Sequence, residues 1–194
     1  MSDRHERLRA ESTAEREAVL GQLDATAGQL QRVELLTDPA LSELPTGPLL
    51  DELLRRLHAT LGADTAVLVD ARRPAEPAIF GPSAGAVAVR RDRLTTYVTS
   101  GVPSARVHLV QNDPARLAET SVIAWRDQVA TLVSVRVVCA GISLGVIEIA
   151  MKRARRWTDW DTALLRVVAD RAAWVLTSGA ANPTRAFTAA HPRM

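Results

Sequence analysis

Two apolar runs joined by a tight turn, followed by a sharply capped amphipathic helix, constrain this chain more than any other feature. They lie between Gln128 and Thr177, in QVATLVSVRVVCAGISLGVIEIAMKRARRWTDWDTALLRVVADRAAWVLT. The first run, Thr131 to Val138, is rich in β-branched residues, which suit a pleated, half-buried surface. Ala140-Gly141 supplies the turn, and Leu144 to Met151 is the second run. A basic loop, Lys152 to Arg156, leads to the helix. Thr158 is a natural N-cap, and Asp161 stands three residues on, a capping-box variant with aspartate at N3. Asp159 and Asp161 each favour the positive helix end by ~0.3–1 kcal/mol. Leu165, Val168, Ala169, Ala172, Ala173 and Leu176 form its buried stripe.

The rest of the chain allows one ordinary domain with an appendage: 194 residues, 47% hydrophobic and 24% charged. The net charge of +2 gives no electrostatic footprint for nucleic acid. Its basic residues are nearly all arginine, with Lys152 the sole lysine, which reads as genomic composition bias. Cys139 is the only cysteine, so neither an intramolecular disulfide nor a cysteine-based zinc site can form. The acidic first 20 residues are not a signal peptide, and no run of about 18 apolar residues predicts a membrane span. The expected location is the cytoplasm.

Residues 1–36 are proline-free and rich in strong helix formers. Val19, Leu23, Thr26, Leu30 and Val33 recur in steps of four and three, little more than two heptads. Two readings stay open: a helix packed on its own domain, or a parallel dimerisation helix through Val19, Leu23, Leu30 and Val33. Residues 37–48 read as a linker in which Thr37-Asp38-Pro39 starts a short helical piece running to Leu44. Pro45-Thr46-Gly47-Pro48 breaks it. Thr46 or Gly47 then caps LLDELLRRLHATL, whose leucines make one face and whose end is Gly62. His58, in the last turn, suits the helix dipole.

Strands are predicted at Thr65–Val69, Ala78–Phe80, Ala86–Val89 and Arg106–Val110, with Gly81 to Gly85 a loop. Asp92 to Ser100 reads as a short helix capped by Asp92 and ended by Gly101. Ala115 to Arg126 reads as a helical piece after an Asn112-Asp113-Pro114 turn. Beyond Ser178-Gly179, residues 179–194 read as a disordered tail.

In this order, the elements resemble a bacterial GAF domain. The resemblance is carried by LLDELLRRLHATLGADTAVLVD at the start, then Ser134-Val135, Ala140-Gly141, Gly145-Val146-Ile147-Glu148 and Arg156-Trp157-Thr158-Asp159-Trp160-Asp161. It implies an α+β fold over residues 49–178. A central antiparallel sheet of Thr65–Val69, Thr131–Val138 and Leu144–Met151 would carry the first and last helices on one face. A ligand cavity on the other face would be closed by Asp92 to Arg126. The candidate pocket residues are Tyr97, His108, Trp125 and Arg136.

Along Thr131 to Val138, alternation sets Val133, Val135 and Val137 on one face and Leu132, Ser134, Arg136 and Val138 on the other. Arg136 aimed into a cavity would favour an anion through bidentate pairing; at a strand edge it would snorkel to water. His108 could hold haem as some GAF sensors do, but nothing around it matches that pattern closely, and it reads as an exposed or hydrogen-bonded histidine. Cys139 reads as a small buried hydrophobe, with a poor match to bilin attachment. The NKFDE motif of cyclic-nucleotide-binding relatives is absent. The KRARR run reads as a solvated loop, Glu148 is assigned no chemistry, and the four tryptophans are expected against the core or around the last helix.

No nucleotide-binding, hydrolase or metalloprotease motif occurs. The enzymes of the family, free methionine sulfoxide reductases, need several cysteines, because one thiol attacks and another resolves. The leading expectation is a non-catalytic sensor: a small molecule shifts a helical homodimer read by a separate signalling protein. A ligand-free module for dimerisation or docking is the alternative, and a redox enzyme a distant third.

Overall fold

The computed structural model describes residues 2–81, 87–100, 107–125 and 128–181. The chain divides into two compact units, Met1–Thr37 and Asp38–Met194. The first is one helix, α1 (Ser2–Thr37). Along it Val19, Leu23 and Leu30 are exposed and Val33 is half-buried.

The second unit opens with a 3-10 turn, Pro39–Glu43, capped by Asp38, whose carboxylate accepts from the Ala40 amide at 2.9 Å. Helix α2 (Thr46–Leu61) follows and buries Leu50, Leu53, Leu54, Leu57 and Leu61 on one face. Gly62 ends it in the left-handed region (φ 59°), where its amide reaches back to the last carbonyls. Then come β1 (Thr65–Asp70), β2 (Ala78–Phe80), β3 (Val87–Val89), α3 (Arg91–Thr99), β4 (Val107–Gln111), α4 (Pro114–Thr120), β5 (Ile123–Trp125), β6 (Thr131–Cys139), β7 (Ile142–Met151) and α5 (Asp159–Ala181). The main sheet is antiparallel, in the order β2-β1-β7-β6-β4, and β3 pairs with β5 in a separate ribbon.

Helices α2 and α5 pack on one face of the main sheet and on each other. That face is built from Ala66 and Leu68, Ile147 and Ile149, and Val133, Val135 and Val137, all buried. Alternation puts the remaining strand residues on the opposite face. There Val67, Val69 and Val146 form one cluster with Leu94 of α3 and with Val122 and Ile123. The expected capping box is present: Thr158 Oγ1 accepts from the Asp161 amide at 3.2 Å, and Asp161 accepts from the Thr158 amide at 3.0 Å.

Several expectations need correction. Helix α2 starts at Thr46, after Pro45, with no side-chain cap; Pro48 lies in its first turn, where a missing N–H breaks no helix bond. Helix α3 is preceded by Arg90, so Asp92 sits inside the first turn and acts there by charge, not as a cap. The helical piece predicted to Arg126 stops at Thr120, because the next two residues are captured by the sheet and the chain then forms β5. The β6–β7 ladder has a register shift between Val137 and Val138, where the pairing passes from Gly145 to Ser143 and leaves Leu144 out. Helix α5 continues to Ala181, three residues into the predicted tail. Trp174 is 59% exposed on it, and Cys139 is half-buried. Residues 182–194, with residues 82–85 of the predicted loop, Ala86, Gly101, Arg106 and Arg126, lie outside the described residues.

Gly145 marks a close backbone approach in the sheet. It pairs with Asp70, and a Cβ there would stand 2.1 Å from the Val69 carbonyl oxygen. The variant Gly145→Ala is therefore expected to cost ~1–3 kcal/mol of stability. Urea unfolding would show it as a lower midpoint at unchanged slope.

Candidate functional site

On the face opposite α2 and α5, the register sets polar residues in rows. His108 on β4 stands opposite Ser134 on β6, Ser134 opposite Glu148 on β7, and Glu148 opposite Val67 on β1. In the next row but one along β6, Arg136 stands opposite Val146. Arg136 and Glu148 are both buried. Above them lie α3, which brings Tyr97 and Ser100, and the segment entering β5, which brings Ser121, Val122 and Trp125.

Glu148 is a hub. Its carboxyl oxygens accept from the Ser121 hydroxyl at 2.6 Å and the Val122 amide at 2.8 Å. Ser121 Oγ in turn accepts from Trp125 Nε1 and from the Ile123 amide, both at 3.0 Å. Burial disfavours the carboxylate and pushes its pKa up to about 7, although the Ser121 and Val122 bonds pull the other way.

Arg136 is held differently. Its guanidinium carbon stands 4.5 Å from the centre of the Tyr97 ring, a cation–π contact, and Nη2 donates to Ser100 Oγ. Its buried Nε has no hydrogen-bond partner, and no carboxylate lies within ion-pairing reach, among the described residues. The Tyr97 hydroxyl, beside Ser134, is also buried without a partner of good geometry among those residues. Burial raises the pKa of this phenol.

Of the four pocket candidates, Tyr97 and Arg136 are thus in contact. His108 is exposed, its ring edge-on to Tyr97 with centroids 6.4 Å apart. Trp125 belongs to the Glu148 hub and packs against two apolar clusters. Glu148 and Ser121 were missed. The available signal was one carboxylate in an otherwise apolar strand, LGVIEIAM, on the face that alternation shares with Ser134 and Arg136.

Cys139 lies elsewhere, lining an open groove of about 530 Å³ with Val138, Ala140, Asp170, Ala173 and Trp174. The KRARR run is only partly a solvated loop. Arg155 donates to the Leu61 carbonyl and to Asp161 and lies over the Trp157 ring, tying the ends of α2 and α5 together. Among the described residues no group of three or more His, Cys, Asp or Glu could hold a metal, and no helix is long and apolar enough to cross a membrane.

The sequence that builds this sheet and its covering elements matches the family model described as GAF domain over residues 46–176. The chain belongs to the GAF domain family. Solved GAF structures agree in fold at low identity. The GAF domain assigned to a sensor histidine kinase of Pseudomonas syringae pv. tomato is 18% identical, with a TM-score of 0.59 over 85% of this chain and 97% of that one. Free methionine-R-sulfoxide reductase from Neisseria meningitidis, in complex with its substrate, gives 15%, 0.57, 79% and 92% for the same quantities. A phycoerythrobilin-bound GAF domain from a cyanobacterial phytochrome gives 11%, 0.52, 80% and 97%. No curated protein matches the chain. One fold thus occurs in a domain assigned to a sensor histidine kinase, in a sulfoxide reductase and in a bilin-bound phytochrome domain, so chemistry must be argued from this chain's own residues.

The Glu148 pKa makes a signed prediction. Folding raises it from 4.5 to about 7, so the folded state holds the proton more tightly than the unfolded one. The resulting stability is fully present below pH 4.5 and is lost as pH rises to about 7, in total roughly 3 kcal/mol at ~1.4 kcal/mol per unit. Glu148→Gln should remove this part of the pH dependence. Urea unfolding of both proteins at pH 5 and pH 8 reads it; equal losses in the two would mean that Glu148 is not the group responsible.

Proposed function

We propose that this chain is a regulatory GAF module that binds a small molecule on the sheet face covered by α3 and the β3–β5 ribbon. The observation that carries this reading is a guanidinium buried on that face without a carboxylate partner, with Arg136 Nε and the nearby Tyr97 hydroxyl both lacking a hydrogen-bond partner of good geometry among the described residues. A core shaped for stability alone satisfies such groups. They lie beneath short elements: α3 buries one residue fully, Leu94, and α4 none. Short, sparsely packed elements belong to the low-stability part of a structure, from which ligand-binding walls are drawn.

Binding acts on the rest of the molecule only through different affinities for two arrangements. In this reading the output runs through a homodimer of α1 helices, paired along Val19, Leu23, Leu30 and Val33, to a separate signalling protein in the cytoplasm. The module is regulatory and not catalytic: Cys139 faces the α5 groove, away from the polar rows, and a sulfoxide-reducing cycle needs a second thiol.

Native mass spectrometry of freshly purified protein, with an absorbance spectrum, tests the reading. A dimer carrying a small added mass is expected, and Leu23→Arg with Leu30→Arg should convert it to monomer while leaving the ligand bound. A wild-type monomer would remove the dimer from the proposal. A dimer with neither added mass nor colour would favour the ligand-free docking module.

A further inference from the structure

A guanidinium removed from water needs a counter-charge or a full set of acceptors. Arg136 is 5% exposed, and among the described residues it has one hydroxyl, one aromatic face and no carboxylate. Its guanidinium carbon stands over the Tyr97 ring and its Nε has no hydrogen-bond partner among the described residues; the Nε edge of a guanidinium takes carboxylates in its plane. Beside it stand the hydroxyls of Tyr97 and Ser134, each able to donate or accept, while the Ser100 hydroxyl accepts from Arg136 and donates to the Tyr97 carbonyl. A buried cation with no counter-charge, beside hydroxyls able to donate, describes an anion site.

We propose that the ligand of this face is a small monocarboxylate, its carboxylate held by the Arg136 edge and the Tyr97 hydroxyl and its apolar end set against Leu94, Val98 and Val146. This rests on the reading of the face as a ligand site. One cation balances one negative charge, so a phosphate dianion fits poorly. The apolar end matches the cluster in which Leu94, Val98 and Val146 meet Tyr97. Nε is sealed from solvent, so an anion reaches it only when α3 moves off the sheet. Entry of the ligand and displacement of α3 are then the same event.

Thermal unfolding and isothermal titration with sodium butyrate and sodium benzoate, against butyramide and benzamide at matched ionic strength, test this on the wild-type protein. The acids are expected to raise the melting temperature and the amides to leave it unchanged, since an amide nitrogen brings donors to donors. Inorganic phosphate should stabilise less than benzoate. Arg136→Gln should weaken benzoate at least tenfold, and Arg136→Lys should recover part of the loss. The acid-against-amide comparison stands even if the Arg136 variants fold poorly. Amides that stabilise as well as acids, or benzoate bound as tightly by Arg136→Gln, would overturn the assignment. Protein that carries a neutral or cationic copurified molecule and ignores the acids overturns the carboxylate but keeps the sensory reading. Protein that carries nothing and ignores acids and amides alike overturns both.

Discussion

The buried carboxyl of Glu148 is the point on which the polar half of the domain depends. It takes the Ser121 hydroxyl and the Val122 amide, and through Ser121 it orders Trp125 and Ile123. The ribbon it holds is only three residues by three, too small to stand alone. The covering wall is therefore anchored by one side chain on the central strand of the sheet, together with the burial of Val122 and Ile123. Desolvation is the cost of placing that group, and a proton retained up to about pH 7 is how the fold meets it.

The same strands present a very different surface on their other side. Val133, Val135 and Val137 with Ile147 and Ile149 make a dry contact with α2 and α5, and nothing there needs a partner. One residue along each strand lie Ser134, Arg136 and Glu148. A shift of one residue in register would exchange these sets, burying charge under the helices. The close approach at Gly145 and the irregularity at Val137/Val138 lie at the end of the β6–β7 pairing beyond the polar rows, so those rows sit in regular ladder.

Much of this frame was legible because its signals are local. The Thr158–Asp161 box, the Gly62 stop, the Ala140-Gly141 turn (φ 48° and 78°) and the alternation of Thr131 to Val137 need no distant partner to be recognised. The element after α4 was not legible. Ala115 to Arg126 has helical composition, and it leaves the helix because Ser121 and Val122 gain bonds to Glu148, more than twenty residues downstream. Glu148 itself was passed over for the same reason, since its partners lie on a segment predicted to be something else. Arg136 was legible as a residue of interest, but alternation alone does not say whether its end reaches water.

Arg136 and Glu148 are joined through the packing above them as well as through the sheet. Leu94 of α3 shares one apolar cluster with Val122 and Ile123 of the wall, and Tyr97 and Trp125 pack against that cluster. Close-packed side chains do not yield independently. A shift of α3 at Arg136 therefore repacks Leu94 against Val122, and the Val122 amide is bonded to Glu148. Moving that amide removes one of the bonds that favour the ionised carboxyl, which raises the cost of a buried charge and favours its proton. Under the proposed carboxylate site, occupancy at the Arg136 edge and protonation at Glu148 act on the same wall.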